Sequence, residues 1–458
     1  MSLRNSSGSR VRDLTHGRPM GQIFRFSLPL FFGSIFQQLY STVDTMTVGR
    51  YVGTAQLAAV GATGSISFFI LGFVSGLTSG YSVMAAQACG ARDEPLLRRV
   101  IGNGVLLSLA IILLFTPLSL LLARPLLVWL GTPGDILDDA VLYISIVFGG
   151  YGFTMLYNLM ASLLRAIGDS RTPLYFLILS SVLNVVLDLL LILALGWGVA
   201  GVAIATIFSQ LVSGVLCVVY AVRKYPVFRL HRADLRPDGR ILRQMLALGL
   251  PMALQFSLTA VGMLLMQASI NGFGSVIVAG YTAASRVESL VSMLAMALGT
   301  AMATYAGQNM GARQYERLFA GVRAAVVLLT LYAAGSAALC IFAGRPVMQL
   351  FVDASDPDAE ALLDTGMVYL RVFACALWPY NALMVFRNSL QGMGKTIYTL
   401  AGGCMECLMR AVVSLTLPGV LGFLGCCLAG PAAWVGALIP LLFAYAHEKR
   451  KLLRAQPS

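Results

Sequence analysis

The chain has 458 residues, of which 58% are hydrophobic and only 11% charged. Soluble chains carry about 25% charged residues, so a set of water-facing domains is excluded, and so is disorder, which needs low hydrophobicity. The net charge of +12 is then a matter of placement along a membrane protein, not a sign of nucleic-acid binding.

A helical span needs about 20 mostly apolar residues, and twelve such stretches follow one another. Transmembrane barrels are excluded because runs such as Val105–Phe115 do not alternate apolar with polar residues. Residues 1–20 form a basic, polar tail with no signal-peptide pattern. Span one, 26–48, carries Gln37, Tyr40 and Asp44 at i, i+3 and i+7, hence on one face. Span two, 57–88, has Gly72, Gly76 and Gly80 at close-packing spacing, and span three covers 100–122. Span four, 140–163, offers Tyr151, Met155 and Asn158; span five, 172–195, pairs Asn184 with Asp188; span six, 199–222, pairs Thr206 with Gln210. A basic linker, 223–243, follows.

Span seven, 244–270, holds Gln255, Met263 and Gln267, with Asn271 just beyond. Span eight, 277–308, contains Arg286 and Glu288, which are expected to neutralise one another or other charges in a structural role. Spans nine and ten cover 324–342 and 365–390. Span eleven, 396–417, has Glu406 four residues before Arg410, the favourable order for a helical ion pair. Its Cys404 and Cys407 lack the further partners a zinc site needs. Span twelve covers 420–446. Pro29, Pro251 and Pro379 lie inside spans, where each removes a backbone hydrogen bond and bends the helix.

Of the 32 Lys and Arg, 25 fall in the tails and in loops after even-numbered spans, and three (Arg50, Arg124, Arg345) in loops after odd-numbered ones. The positive-inside rule places both termini in the cytoplasm. The two largest outer loops are acidic, with Asp135, Asp138 and Asp139 in one and Asp353, Asp356, Asp358, Glu360 and Asp364 in the other; these read as solvated helix starts.

The second half echoes the first. Gln87-Ala-Cys-Gly-Ala-Arg92 recurs as Gln308-Asn-Met-Gly-Ala-Arg313, 221 residues later, and Leu28-Pro29 as Leu250-Pro251, 222 later. Tyr143 matches Tyr369, and Leu164-Arg-Ala-Ile-Gly168 matches Leu390-Gln-Gly-Met-Gly394, both at 226, the change falling in the longer second acidic loop. Six spans per half is an even number, so the repeats are parallel, not inverted. The expected fold is an all-α polytopic membrane protein, twelve transmembrane helices in two parallel-repeat six-helix lobes around a central cleft. The N-lobe is 21–222, the C-lobe 244–446, and 447–458 is a cytoplasmic tail.

Only Asp44, Asp188, Glu288 and Glu406 are acids inside spans, and a carboxylate at that depth is a functional hypothesis by default. Two carboxylates in a dry pocket cannot both stay charged unaided, so Asp44 and Asp188 suit a proton or Na⁺. Amide and hydroxyl oxygens complete such a shell, and hard cations need no His or Cys. The alternative is that these residues are interhelical hydrogen-bonding glue. No nucleophile–base pair or metal motif lies within the spans, so an enzyme is not expected.

The proline-bearing first span with Val43-Asp44-Thr45, the doubled Gln-x-x-Gly-Ala-Arg, Arg165-Ala-Ile-Gly-Asp-Ser-Arg-Thr-Pro173, Asn184-Val-Val-Leu-Asp188 and Ser285-Arg-Val-Glu288 together resemble the multidrug and toxic compound extrusion (MATE) transporters, over residues 21–446. The resemblance implies a monomeric, multi-pass protein of a bacterial-type inner membrane, with no cofactor. It would export organic, often cationic, compounds in exchange for inward H⁺ or Na⁺ by alternating access. Asp44, Asn158, Asn184, Asp188 and Thr206 correspond to the cation site of the DinF-like branch, with Asp44, Asn184, Asp188 and Thr206 as Na⁺ ligands if Na⁺ is the ion. Gln37, Tyr40, Gln210, Gln255, Met263, Asn271 and Glu288 are candidates for contact with substrate or for support of the site. Another branch keeps a carboxylate early in the seventh span, where this chain has the uncharged Gln255. Flippases of lipid-linked or polysaccharide precursors share the architecture and are the alternative.

Overall fold

The computed structural model describes residues 13–352 and 357–455, all of them helix, turn or loop. Most of the N-terminal tail, Asp353, Asp356 and the last three residues lie outside that range. The first half comprises α1 (Pro19–Thr47), α2 (Thr54–Gly90), α3 (Glu94–Trp129), α4 (Gly134–Gly149), α5 (Tyr151–Ala166), α6 (Arg171–Leu189) and α7 (Gly198–Lys224). The second comprises α8 (Gly239–Asn271), α9 (Ser275–Gly311), α10 (Tyr315–Ala338), the short α11 (Gly344–Gln349), α12 (Ala359–Gly392), α13 (Thr396–Thr416), the short α14 (Pro418–Leu421) and α15 (Phe423–Cys427), and α16 (Ala429–Arg454). Wider π turns extend α1, α6 and α10 at their C-terminal ends.

Among the described residues, ten helices, with the turns that continue them, are long and apolar enough to cross a membrane, and α4 with α5, taken as one span, makes an eleventh crossing, bent by 47°. The twelfth is α1. Its 29 residues suffice in length, but Gln37, Gln38, Ser41, Thr42, Asp44 and Thr45 lower its hydropathy. That is the pattern of a span facing a hydrophilic interior. The helices run past the sequence-defined spans at most ends, so the linker shrinks to a 3-10 turn, Pro226–Phe228, and a loop that Asp238 closes by capping α8.

The doubled motif explains how the halves meet. Arg92 (φ 57°) and Arg313 (φ 56°) are the only non-glycine residues with positive φ among those described, and each ends its helix in the left-handed conformation. Just before them α2 and α9 cross in near contact. A Cβ at Gly90 would lie 1.9 Å from Gln308 O, and one at Gly311 would lie 1.9 Å from Gln87 O. The two glutamines reach across the same junction. Gln87 Nε2 donates to Gly392 O (3.0 Å), ending α12, and Gln308 Nε2 donates to Ala166 O (2.8 Å), ending α5. Each repeat thus hydrogen-bonds the repeat-related helix end of the other. Leu14, fully buried, completes the plug: its N–H donates to Gln308 Oε1 (3.1 Å), and Arg317 Nη2 donates to its carbonyl (3.2 Å).

The glycine face of α2 shows where this closure ends. At Gly80 and Gly76 an added Cβ would meet α8 backbone at 2.3 and 2.4 Å; at Gly72 it would meet Phe256 Cβ at 3.5 Å; at Gly61 nothing lies within 4 Å. Gly61 is eleven residues, about three turns, before Gly72 and shares its face. The halves are therefore pinned together at the end bearing the termini and diverge towards the other. Two ion pairs mark that other end, Arg124–Asp138 (3.0 Å) and Arg345–Asp364 (2.6 Å), and they are repeat mates. Asp138 and Asp364 are thus partly paired, where the sequence suggested solvation alone.

Candidate functional site: a buried carboxyl pair in the first half

Asp44 stands three residues from the end of α1, and Asp188 one residue from the end of α6, on helices that pack together. Their carboxyl groups are near enough to influence one another electrostatically. Asp188 is 1% exposed and Asn184, one turn earlier on the same face, 0%. With the amide oriented so that both ends are satisfied, Asn184 Nδ2 donates to Asp188 Oδ2 (3.0 Å) and its oxygen accepts from Thr206 N (3.2 Å). Tyr40 OH donates to Thr206 Oγ1 at 3.4 Å, and Thr206 in turn donates to Val202 O (3.0 Å). Three helices, α1, α6 and α7, therefore converge on one polar centre.

Asp44 Oδ1 and Asp188 Oδ1 are buried and have no partner in this arrangement. An unpaired buried carboxylate oxygen is costly, and two facing one another are worse. A proton shared between them, or a small hard cation bound by both with the neighbouring amide and hydroxyl oxygens, removes that cost. The donor set fits either.

Asn158 Nδ2 donates to Thr154 O (2.9 Å), back into its own helix. Span four is not one helix, and α4 and α5 diverge by 47°. A Cβ at Gly150 would lie 2.4 Å from Ile207 Cγ2, so α7 packs directly against the break. Tyr143 of α4, ahead of the break, lies within electrostatic reach of both acids. Reading span four as continuous hid Tyr143; the signal for it was Gly149-Gly150.

The other candidates are spread more widely. Gln37 is exposed, and Gln210 Oε1 is buried without a partner. Gln255 is buried in the second half and accepts from Gln391 Nε2 (3.2 Å). Met263 is half exposed, and Gln267 Nε2 donates to Asn271 Oδ1 (2.8 Å). Glu288 does not pair with Arg286. Residues two apart point to different sides of a helix, and Glu288 Oε2 accepts instead from Tyr369 OH (2.5 Å). Glu406 does bond Arg410 (Nη2 to Oε1, 3.4 Å), but its other oxygen is taken by Arg387, a partner 19 residues away.

A motif outside the site also gains a physical meaning. Gly168 (φ 95°) ends the turn after α5, and Asp169 caps α6 through Thr172 N (3.0 Å) and Thr172 Oγ1 (2.6 Å). Tyr225 OH donates to the same carboxylate (2.6 Å) and ties the end of α7 to it.

A polytopic helical bundle of two repeats, closed at one end, with a buried acidic centre among helices of the first repeat, has the form of a membrane transporter. The MatE family profile matches residues 29–190 and 251–415, one match in each half. A probable multidrug resistance protein of Bacillus subtilis, YpnP, is 31% identical over 406 residues, 88% of each chain. A second from that organism, YoeA, is 28% identical over 429 residues, 92% of this chain and 86% of its own. Among solved structures, a multidrug resistance MATE family transporter of the MOP superfamily, in an outward-facing conformation, superposes with a TM-score of 0.89 at 24% identity, over 99% of this chain and all of that one. The chain belongs to the MATE family; it is a multi-pass membrane transporter and not an enzyme.

Proposed function

We propose that the chain is a secondary active multidrug exporter that couples efflux of organic compounds to inward movement of H⁺ or Na⁺ through Asp44 and Asp188. The observation that carries this reading is the pair of facing carboxyls with one buried, unpartnered oxygen each. The printed functions of the B. subtilis relatives, probable multidrug resistance, support the substrate class.

The positive-inside distribution sets the pinned, terminus-bearing end in the cytoplasm of a bacterial inner membrane. The cleft then opens outward, and the carboxyl pair, near the outer ends of α1 and α6, is reached from outside. A cation entering there neutralises the pair and relieves the repulsion that holds α1 and α6 in this arrangement. Binding moves the conformational balance only by its different affinity in the two states, and a site with two orphaned oxygens in one state has room for a large difference.

The test is substrate flux in proteoliposomes under a Na⁺ gradient alone and then a pH gradient alone. One of the two drives flux in the wild type, and Asp44→Asn and Asp188→Asn abolish the gradient-driven part at normal expression. Full coupled flux in both variants would sink the assignment.

A further inference from the structure

The terminus-bearing ends of α1 and α6 frame an open groove of about 390 Å³ on the first half. Arg25, Leu28 and Phe32 line it from α1, at i, i+3 and i+7, and Arg171, Leu174 and Tyr175 line it from α6, at i, i+3 and i+4. Each helix thus offers a guanidinium at the mouth, followed by apolar or aromatic side chains within the next two turns. Arg25 and Arg171 immediately precede the apolar stretches 26–48 and 172–195, so both stand at the bilayer surface, where a guanidinium meets lipid headgroups.

The groove faces lipid. The opposite side of α1, with Ile23 and Phe26, is buried in the core of the second half. On the groove side Phe32, Leu39 and Met46 form an exposed apolar row. The buried side of α6 carries Ser180, Asn184 and Asp188, and its exposed row is Tyr175, Leu179, Val182 and Val186. Such rows of large exposed side chains along two spans belong against hydrocarbon. Leu174 also packs at Gly33 of α1, where an added Cβ would lie 3.8 Å from its Cδ1, so the two helices close the inner side of the groove.

Neither guanidinium is spent within the protein. Both arginines are exposed and form no ion pair among the described residues. Asp169, the acid nearest to Arg171 in sequence, has its carboxylate committed to the start of α6 and to Tyr225. The repeat is also built without these charges. At the equivalent positions of the second half, 222 and 226 residues on, stand Ala247 and Ile397, and there Thr396 Oγ1 donates to Ala247 O (3.3 Å), closing α13 directly on α8.

We propose that this groove binds one anionic phospholipid of the adjoining leaflet, its phosphate between Arg25 and Arg171 and an acyl chain along Leu28, Phe32 and Tyr175. Charge complementarity selects the headgroup, and the apolar track continuing into the lipid-facing rows selects a lipid over a soluble anion. A headgroup shared by the two arginines ties together the near ends of α1 and α6, the helices whose far ends carry Asp44 and Asp188.

The experiment is native mass spectrometry of purified, delipidated full-length protein in a non-ionic detergent, titrated with palmitoyl-oleoyl phosphatidylglycerol or with phosphatidylcholine of the same chains. Wild type takes up one phosphatidylglycerol saturably and prefers it by about thirtyfold, each basic residue beside an anionic headgroup being worth about fivefold. Arg25→Gln with Arg171→Gln abolishes the preference, and Arg25→Lys with Arg171→Lys, which restores the charge, recovers most of it. Arg232→Gln with Arg236→Gln, in the linker beside α3, keeps it whole. Because the two groove arginines pair with nothing in the protein, the delipidated Arg25→Gln, Arg171→Gln variant melts with the wild type. An unchanged preference in that variant, or no preference in the wild type, overturns the site. So does displacement of the lipid by equimolar glycerol 3-phosphate, which assigns the arginines to a soluble anion.

Discussion

Alanine at Gly90 is the sharpest probe of how the two repeats close. The added methyl would stand 1.9 Å from Gln308 O, and real Cβ atoms essentially never come within 3.0 Å of a neighbour, so α2 and α9 must part by about 1.1 Å. The obstacle is backbone, with no side chain able to swing away. Overpacking of this kind costs about 1–3 kcal/mol, or roughly 5- to 150-fold in the balance between closed and open arrangements. In an isolated helix the same change would be favourable by about 1 kcal/mol, because Ala outranks Gly as a helix former. A net loosening is therefore due to packing alone. Hydrogen exchange of the amides at 87–93 and 308–314 reads it directly, with both segments exchanging faster in Gly90→Ala, and Gly311→Ala behaving alike because the contact is reciprocal. Unchanged exchange in both segments would refute the crossing as the closure of this end.

Three further outcomes follow from the same geometry. Asn184→Leu removes the donor to Asp188 Oδ2 and lowers gradient-driven flux at least tenfold, a charge-assisted hydrogen bond being about 1.5–3 kcal/mol, whereas Asn158→Ala, which removes a donor bonded to its own helix, leaves flux within about twofold. Asp169→Ala loses the cap of α6 and the tie to Tyr225, and destabilises by about 1–3 kcal/mol, seen as a lower melting temperature. Glu406→Gln leaves two buried guanidiniums without their carboxylate and costs about 3–5 kcal/mol; Glu406→Gln combined with Arg387→Met recovers part of that loss, and a double variant no better than the single one would refute the shared ion pair.

Much of the fold was legible because bilayer physics writes itself into composition. Apolar length and the recurrence of Gln-x-x-Gly-Ala-Arg are properties of local sequence, and each corresponds to an observed helix or helix end. The candidate centre was legible in part. Asn184 and Asp188 share a helix face by spacing alone, and Asp44 was marked by its rarity. Whether they met was not readable, since spacing on one helix says nothing about the rotation of the next. Tyr143 shows the limit: it lies on α4 ahead of the 47° break at Gly150 and reaches both acids, which spacing along one continuous span did not suggest.

The sequence by itself determined that this is a helical membrane protein of two like-facing repeats with acids where lipid should be, because hydrophobicity and periodicity act along the chain. Tertiary structure alone decided that Asp44 and Asp188 face each other, that Glu406 is divided between Arg387 and Arg410, and that the repeats are pinned at one end. Those are contacts between helices far apart in sequence, set by how glycines let backbones approach and by which buried charges find partners.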